Sequence, residues 1–463
     1  MSLLKHAAAA ALAAIALATV AAPTFLPARA APAAESAPAL FEESRVWLGD
    51  EDGAKSHHVY GLTVTKRGVV LAFSESRLGS KDEQPHDLTC KRSTDAGRTW
   101  SPSIFIERGD GSFWNANGDP GRKECWTNPA ALADLQTGRT FFFYALNEGE
   151  QRGKNTQRMT RVFYRTSDDD GLTWSGRVEI TPVFNVKADG SPNTDADGKA
   201  VRNADGFACD FLERAFHMPG PGHGLQLADG RLLLQAWHRR PIGGFNADGS
   251  YRSEPTDGRR YGISIIASDD HGATWKHVSF VGFGHYATES RLAPLPDGRL
   301  LLNARIDAPG RSGKSPETSG TGRRWITVSA DRGATWDAGR IDEAMPAYFH
   351  CDSGLLALTP AGDPKKSLLF FSHPADPKSR TRMTLSTSDD GGATWRWHKL
   401  VHPGACQYSD LVALPDGNVG LLYGRTPVQP AGPSPLGPSP REVVFARLSP
   451  AWLTAGSDSP LKP

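Results

Sequence analysis

The residues in this chain with the most evident chemical potential are acids, arginines, histidines and tyrosines spread over more than three hundred positions. Thr288-Glu289-Ser290 and Leu302-Asn303-Ala304-Arg305 flank a Leu295-Pro296-Asp297-Gly298 turn, which sets two strands side by side and lets Glu289 and Arg305 reach one place. The pair reads either as pocket chemistry, a carboxylate beside an anion-gripping guanidinium, or as a plain cross-strand ion pair. His57-His58-Val59-Tyr60 places imidazoles near a phenol. Such a group could serve as the base of a lyase, provided an arginine neutralises the substrate acid. Asp189-Gly190, Asp195 to Gly198 and Asp205-Gly206 crowd into 186–215 without the downstream bidentate Glu of an EF-hand loop, so a solvated loop is expected there and no metal. The five cysteines, at 90, 125, 209, 351 and 406, match no zinc spacing and read as small buried hydrophobes with at most one bridge.

The elements that must position these groups are announced by a repeat. The pattern S-x-D-x-G-x-T-W occurs five times, ending at Trp100, Trp174, Trp275, Trp336 and Trp395. In each copy the Asp can accept turn N–H groups, the Gly supplies positive φ, and the Trp packs back on the fold. Five copies mark one β-hairpin unit repeated around an axis, and the repeated Asp and Trp are read as structural. Short apolar runs alternate with x-Asp-Gly turns at 229–230, 297–298 and 416–417, the spacing of an all-β chain, and helical periodicity is absent. The longest interval, Trp174 to Trp275, carries an insertion. The final run, Glu442 to Leu448, is expected to complete the first blade and close a ring, after a Pro-rich surface excursion over 427–440.

This repeat is the Asp-box, and the chain resembles the bacterial exo-sialidases. The resemblance implies an all-β, six-bladed β-propeller with five Asp-box hairpin turns. It also implies a retaining hydrolase with a tyrosine nucleophile: the anomeric carbon carries a carboxylate that repels an anionic nucleophile, so a neutral phenol is used, activated by a Glu. Cys406-Gln407-Tyr408-Ser409-Asp410-Leu411 is similar to the family strand that bears this tyrosine, which makes Tyr408 the nucleophile candidate. The Glu289 hairpin is similar to the one presenting the base and a carboxylate-binding arginine, Arg305. The run Arg380-Thr381-Arg382-Met383-Thr384 implies a second such arginine at Arg380, with Arg382 as runner-up. Ser74-Glu75-Ser76-Arg77, then Lys81-Asp82-Glu83, is similar to the loop bearing the acid/base Asp. The resemblance implies Asp82 in that role beside Arg77 at the substrate, with Glu83 one step away and Asp87 structural. The third arginine of the family's cluster is missing: His58 stands in its place, with fewer donors and little charge at neutral pH. Trp126, before Thr127-Asn128-Pro129, could offer a sugar a stacking face, and the Gly/Pro-dense run 219–227 could approach a sugar closely.

The chain has 463 residues, 22% charged, with net charge +1, which suggests neither nucleic acid nor an acidic membrane as partner. Residues 1–30 read as a secretory signal ending in Ala28-Arg29-Ala30, too short and Ala-rich for an anchor, followed by a flexible lead-in over 31–42. The propeller is expected over 43–450 and a tail over 451–463. The expected protein is a secreted or periplasmic enzyme that needs no cofactor and acts on sialylated or other acidic glycans. The alternatives are a hydrolase or lyase for another acidic sugar, and a non-catalytic carbohydrate-binding propeller.

Overall fold

The computed structural model describes residues 39–458 apart from 80–81, 149, 152–153, 156–158, 240–260, 283–284, 307–322, 346–350, 360–362, 364–365 and 427–441. The signal segment 1–30 and the Pro-rich run 427–440 therefore lie outside the described residues. Strands follow one another as antiparallel meanders, each starting at an inner strand. One contains Ser56–Val64, Val70–Arg77, His86–Ser93 and Ile104–Glu107; the next contains Cys125–Ala133, Thr140–Asn147, Thr160–Ser167 and Val178–Glu179. Phe216–Pro219, Leu232–Arg239, Tyr261–Ser268 and Lys276–Val281 form another, then Ala287–Pro294, Leu300–Ile306, Arg324–Ser329 and Arg340–Ile341. Leu355–Leu358, Leu368–Pro374 and Thr381–Ser388 lead into the long strand Trp397–Ala413, whose second half opens a meander with Val419–Arg425 and Glu442–Leu448.

The ring is closed differently from the sequence expectation. Glu442–Leu448 does not join the Ser56 meander; it pairs with Phe41–Leu48 on its outer side, so the N-terminal strand completes the last meander. Phe41 and Glu42, assigned to the lead-in, belong to this strand. An edge that would otherwise expose unpaired N–H and C=O groups is covered by the other end of the chain. Gly222–His223 runs parallel between Ser56–Val64 and Cys125–Ala133, and His86 pairs with Cys125, so these strands and Val70–Arg77 close a small barrel.

The boxes form as their chemistry dictates. In the first, Asp95 Oδ1 accepts from Arg98 N (3.0 Å) and Thr99 N (2.9 Å), and Oδ2 accepts from the Thr99 hydroxyl at 2.6 Å. The two threonine contacts recur at Asp169, Asp270, Asp331 and Asp390. Two consecutive residues take positive φ, not one: Ala96 and Gly97 in the first box, Asp170 and Gly171 in the second. The tryptophans seal the seams between meanders. Trp174 stands edge-on to Phe73 and Phe142, which themselves stack at 4.5 Å. Burying each such ring contributes roughly 1.5–3 kcal/mol.

The 186–215 insertion is no plain loop. It is an octapeptide repeat, with Ala-Asp-Gly at 188–190, 196–198 and 204–206, and bridges Val186↔Pro192, Thr194↔Ala200 and Arg202↔Ala208. A backbone ladder with the same period, Asn193 N to Asn185 O, Val201 N to Asn193 O and Cys209 N to Val201 O, stacks the turns. All five cysteines are buried free thiols. No helix among the described residues is long and apolar enough to cross a membrane.

Candidate active site

Four inner strands carry a bulge at the position where a candidate site residue, or its neighbour, sits. The register slips between His58 and Tyr60, between Thr127 and Ala130, between Ala287 and Ser290, and between Cys406 and Ser409. A bulge bends a strand and re-aims a side chain. Val59 and Asn128 occupy positive φ at two of them, 58° and 56°. For β-branched Val59 this is a strained conformation, held by the surrounding sheet.

The bulges bring Tyr408, Glu289 and Arg305 into direct contact. Tyr408 donates its O–H to Glu289 Oε1 at 2.6 Å, and Arg305 Nη1 donates to Glu289 Oε2 at 2.6 Å and to the phenolic oxygen at 2.8 Å. Burial, and then the Glu289 carboxylate, push the Tyr408 phenol well above its ordinary value, so it is neutral at rest. The Arg380 guanidinium lies 5.5 Å from the centroid of the Tyr408 ring and donates to Gln407 Oε1 at 2.9 Å. Its Nε is buried with no hydrogen-bond partner among the described residues.

His58 packs against the other side of this group, 4.8 Å from the Tyr408 ring centroid and edge-on to Tyr60 at 6.0 Å. Burial, reinforced by the Arg77 and Arg380 charges, pulls its pKa well below the ordinary imidazole value. Its Nδ1 is buried and unpartnered among the described residues. Arg77 stands beyond it as a bridge. Its Nε and Nη2 donate to buried Glu75 Oε2 at 3.0 and 2.8 Å, while Nη1 donates to Asp82 Oδ1 at 2.5 Å. The Arg77 charge holds the exposed Asp82 carboxyl down at about 2. Asp87 accepts from Gly109 N at 2.6 Å, the structural role expected of it.

Two sequence readings change. Trp126 offers no sugar-stacking face: it is fully buried among Phe113, Tyr144 and Phe163, with its indole N–H on the Arg108 carbonyl. A Trp beginning a strand has two faces to choose from, and here it takes the inter-sheet core. His57 and Tyr60 are likewise spent on packing, His57 stacked on Trp47 and bonded to Ser76, and Tyr60 donating to the His57 carbonyl. Of that group, His58 is the one that faces Tyr408.

Next to Tyr408 in the chain lies a charge network that sequence reasoning missed. Arg291, fully buried, donates through Nε to Asp410 Oδ1 at 3.0 Å and through Nη2 to Asp352 Oδ2 at 2.8 Å, while His223 Nδ1 lies 2.9 Å from Asp410 Oδ1. Gly222 sits at φ +101°, where a Cβ would come 2.2 Å from the Arg291 guanidinium, so only glycine fits. The signals were faint. Asp410 lies two residues from Tyr408 and Glu75 two from Arg77, the same-face spacing of a strand.

Residues 66–421 match the BNR repeat-like domain family. The chain is 30% identical over 394 residues to a sialidase of Micromonospora viridifaciens, covering 83% of this chain and 52% of that one. It is 25% identical to a sialidase of Bacteroides fragilis, covering 81% and 60%. It thus spans between half and three fifths of these relatives. Among solved structures, a Hadza microbial sialidase aligns with TM-score 0.64 and 24% identity, covering 88% of this chain and 68% of that one. A leech intramolecular trans-sialidase aligns with TM-score 0.62 and 17% identity, covering 89% and 71%. At these identities the structural likeness speaks for the fold, and those folds are β-propellers.

Proposed function

This chain belongs to the sialidase family with BNR repeats, and on that premise we propose that it is a retaining exo-α-sialidase built on a six-bladed propeller, each meander being one blade. The observation that carries the reading is the 2.6 Å hydrogen bond from Tyr408 to Glu289. A neutral phenol on a carboxylate acceptor is the nucleophile a carboxylate-bearing anomeric carbon tolerates: Glu289 takes the proton as the oxygen attacks, and Arg305 Nη1 steadies the phenolic oxygen. Arg305 and Arg380 grip the substrate carboxylate. Asp82, presented by Arg77, protonates the leaving oxygen and later activates water, so substrate binding must first raise its depressed pKa. The N-terminal 30 residues would export the protein to the periplasm or beyond, where sialylated glycans are its substrates.

The test is hydrolysis of an aryl α-sialoside followed by proton NMR. The α-anomer is expected as first product; the β-anomer would sink the retaining mechanism, and a 2,7-anhydro sugar would make the protein an intramolecular trans-sialidase. Asp82→Asn tests the acid. Its loss of rate should be at least ~10-fold larger on a sialylated glycan than on an aryl sialoside, whose good leaving group needs little protonation. Equal losses on both would place the acid elsewhere.

His58 sets a pH dependence. The free imidazole is neutral around pH 7 and gains its proton only at lower pH, where Arg77 and Arg380 oppose it and Asp82 favours it. A bound carboxylate favours the same proton, so affinity for a non-hydrolysable sialic acid analogue should be flat above about pH 7 and rise as pH falls below the ordinary imidazole range. His58→Gln should abolish the rise. A wild-type affinity that stays flat through the acid range would show that His58 does not touch the carboxylate.

A further inference from the structure

A cavity of about 500 Å³ opens where the insertion's stacked turns meet the outer strand Lys276–Val281 of the Phe216 meander and, from the Ala287 meander, Trp325 and the fourth box. Its walls include Asp189 and Phe211 from the insertion, His277 and Phe280 from Lys276–Val281, and Trp336 and Asp337 at the fourth box. Tyr408, Glu289, Arg305, Arg380, His58 and Asp82 take no part in it.

Trp336 departs from the pattern of the other boxes. Trp100 packs on Phe445, Trp174 on Phe73 and Phe142, Trp275 on Phe141 and Phe143, and Trp395 on Phe371. Trp336 has no aromatic ring packed on it among the described residues, and its ring, half-buried, lines the cavity instead. Its indole N–H is pinned to Ser279 Oγ at 3.0 Å and the Gly333 carbonyl at 3.2 Å, which fixes the ring as a platform.

His277 supplies a second, independent sign of a ligand. Its Nδ1 is buried without a hydrogen-bond partner among the described residues, facing the Gly190 turn of the cavity wall, where a Cβ would stand 3.6 Å away. Its Nε2 heads a relay through Ser264 Oγ (2.9 Å), His238 (2.6 Å), His217 (2.7 Å) and Asn185 (3.1 Å). The Asn185 Oδ1 that ends the relay can only accept, so every link donates toward it, from His277 Nε2–H through the Ser264 hydroxyl and His238 Nδ1–H to His217 Nε2–H, and His277 Nδ1 is left as an acceptor. A sugar hydroxyl supplies the donor it lacks. An uncompensated buried nitrogen is costly, and an arriving hydroxyl relieves that cost.

The charge decides the ligand class. No lysine or arginine lines the cavity among the described residues, whereas Asp189 and Asp337 do. An acidic sugar is repelled there, and a neutral one is not. We infer that this cavity binds a neutral sugar ring, a hexose or N-acetylhexosamine of a glycan, stacked on Trp336 with hydroxyls on His277 and Asp189. The site is independent of the catalytic reading and would hold the glycan chain while the central pocket works at its ends.

The experiment is titration of the full chain with lactose and with N-acetyllactosamine, followed by calorimetry and ligand-observed NMR. Saturable binding is expected with a Kd near ~1 mM, in keeping with one stacked ring. Ala338→Arg, at an exposed position on the cavity wall, should weaken it at least ~10-fold while leaving hydrolysis of a small aryl substrate unchanged, and Tyr408→Phe should leave binding intact. Trp336→Ala should match Ala338→Arg; should it fail to fold, Ala338→Arg alone decides. No saturation by about 10 mM, or binding undiminished in Ala338→Arg, would overturn the inference. So would a preference for free sialic acid that Ala338→Arg removes.

Discussion

Replacing Tyr408 with phenylalanine will lower turnover of an aryl sialoside by at least ~10²-fold and leave the fold in place. The change removes one oxygen from a ring that keeps its packing against His58 and under Arg380. The hydroxyl gives its proton to Glu289 and accepts from Arg305, so its loss takes away the nucleophile and the group through which the base acts. Because the oxygen acts in the transition state, kcat should fall, while KM for the same substrate should move far less. Glu289→Gln should follow it, since a neutral amide cannot take the phenolic proton, and the double variant should be little worse than either single one. Unchanged turnover with unchanged melting would mean that the nucleophile lies elsewhere.

The largest stability effect is expected at Arg291. This guanidinium is fully buried between Asp410 and Asp352, whose carboxylates reach it at 3.0 and 2.8 Å. Arg291→Met keeps the volume and removes the charge, leaving two buried carboxylates facing one another. Breaking a buried pair in this way costs about 3–5 kcal/mol, and in a chain of this size thermal unfolding should move down by roughly 3–6 °C. Adding Asp352→Asn and Asp410→Asn should recover part of the loss, because the cost lies in the stranded charges. A melting temperature that Arg291→Met leaves unchanged would show that the network does not carry this charge balance. The network also ties Arg291 of the inner strand Ala287–Pro294 to Asp410, two residues after Tyr408. Arg291→Met is therefore expected to loosen the Tyr408–Glu289 contact as well.

Much of the site was legible because its residues sit in strongly patterned surroundings. The Leu295-to-Gly298 turn forces Glu289 and Arg305 onto adjacent strands, and the pairing of Ser290 with Ala304 bears this out. Trp126 was misread for the opposite reason: nothing local distinguishes an aromatic that faces a groove from one that fills the seam between two sheets. The insertion was misread because its period of eight is written in small residues and turns, with no apolar stripe to announce it. Arg291 escaped notice because a lone arginine on a strand is usually solvated, and its partners come from segments more than sixty residues away in sequence.

By itself, then, the sequence determined the repeating hairpin, its Asp and Trp chemistry and the all-β class, because each box is a local structure whose hydrogen bonds close within eight residues. It also placed Tyr408, Glu289, Arg305, Arg380 and Asp82 in segments where the family resemblance locates the reacting groups. The tertiary structure decided how the ring closes, with Phe41–Leu48 over Glu442–Leu448, and which aromatic faces a cavity and which a core. It decided, too, that His58 is neutral, since its pKa is set by burial and by Arg77 and Arg380, groups that only the assembled sheets bring together. Local hydrogen bonds are read within a few residues; burial and electrostatics depend on neighbours that the chain order does not name.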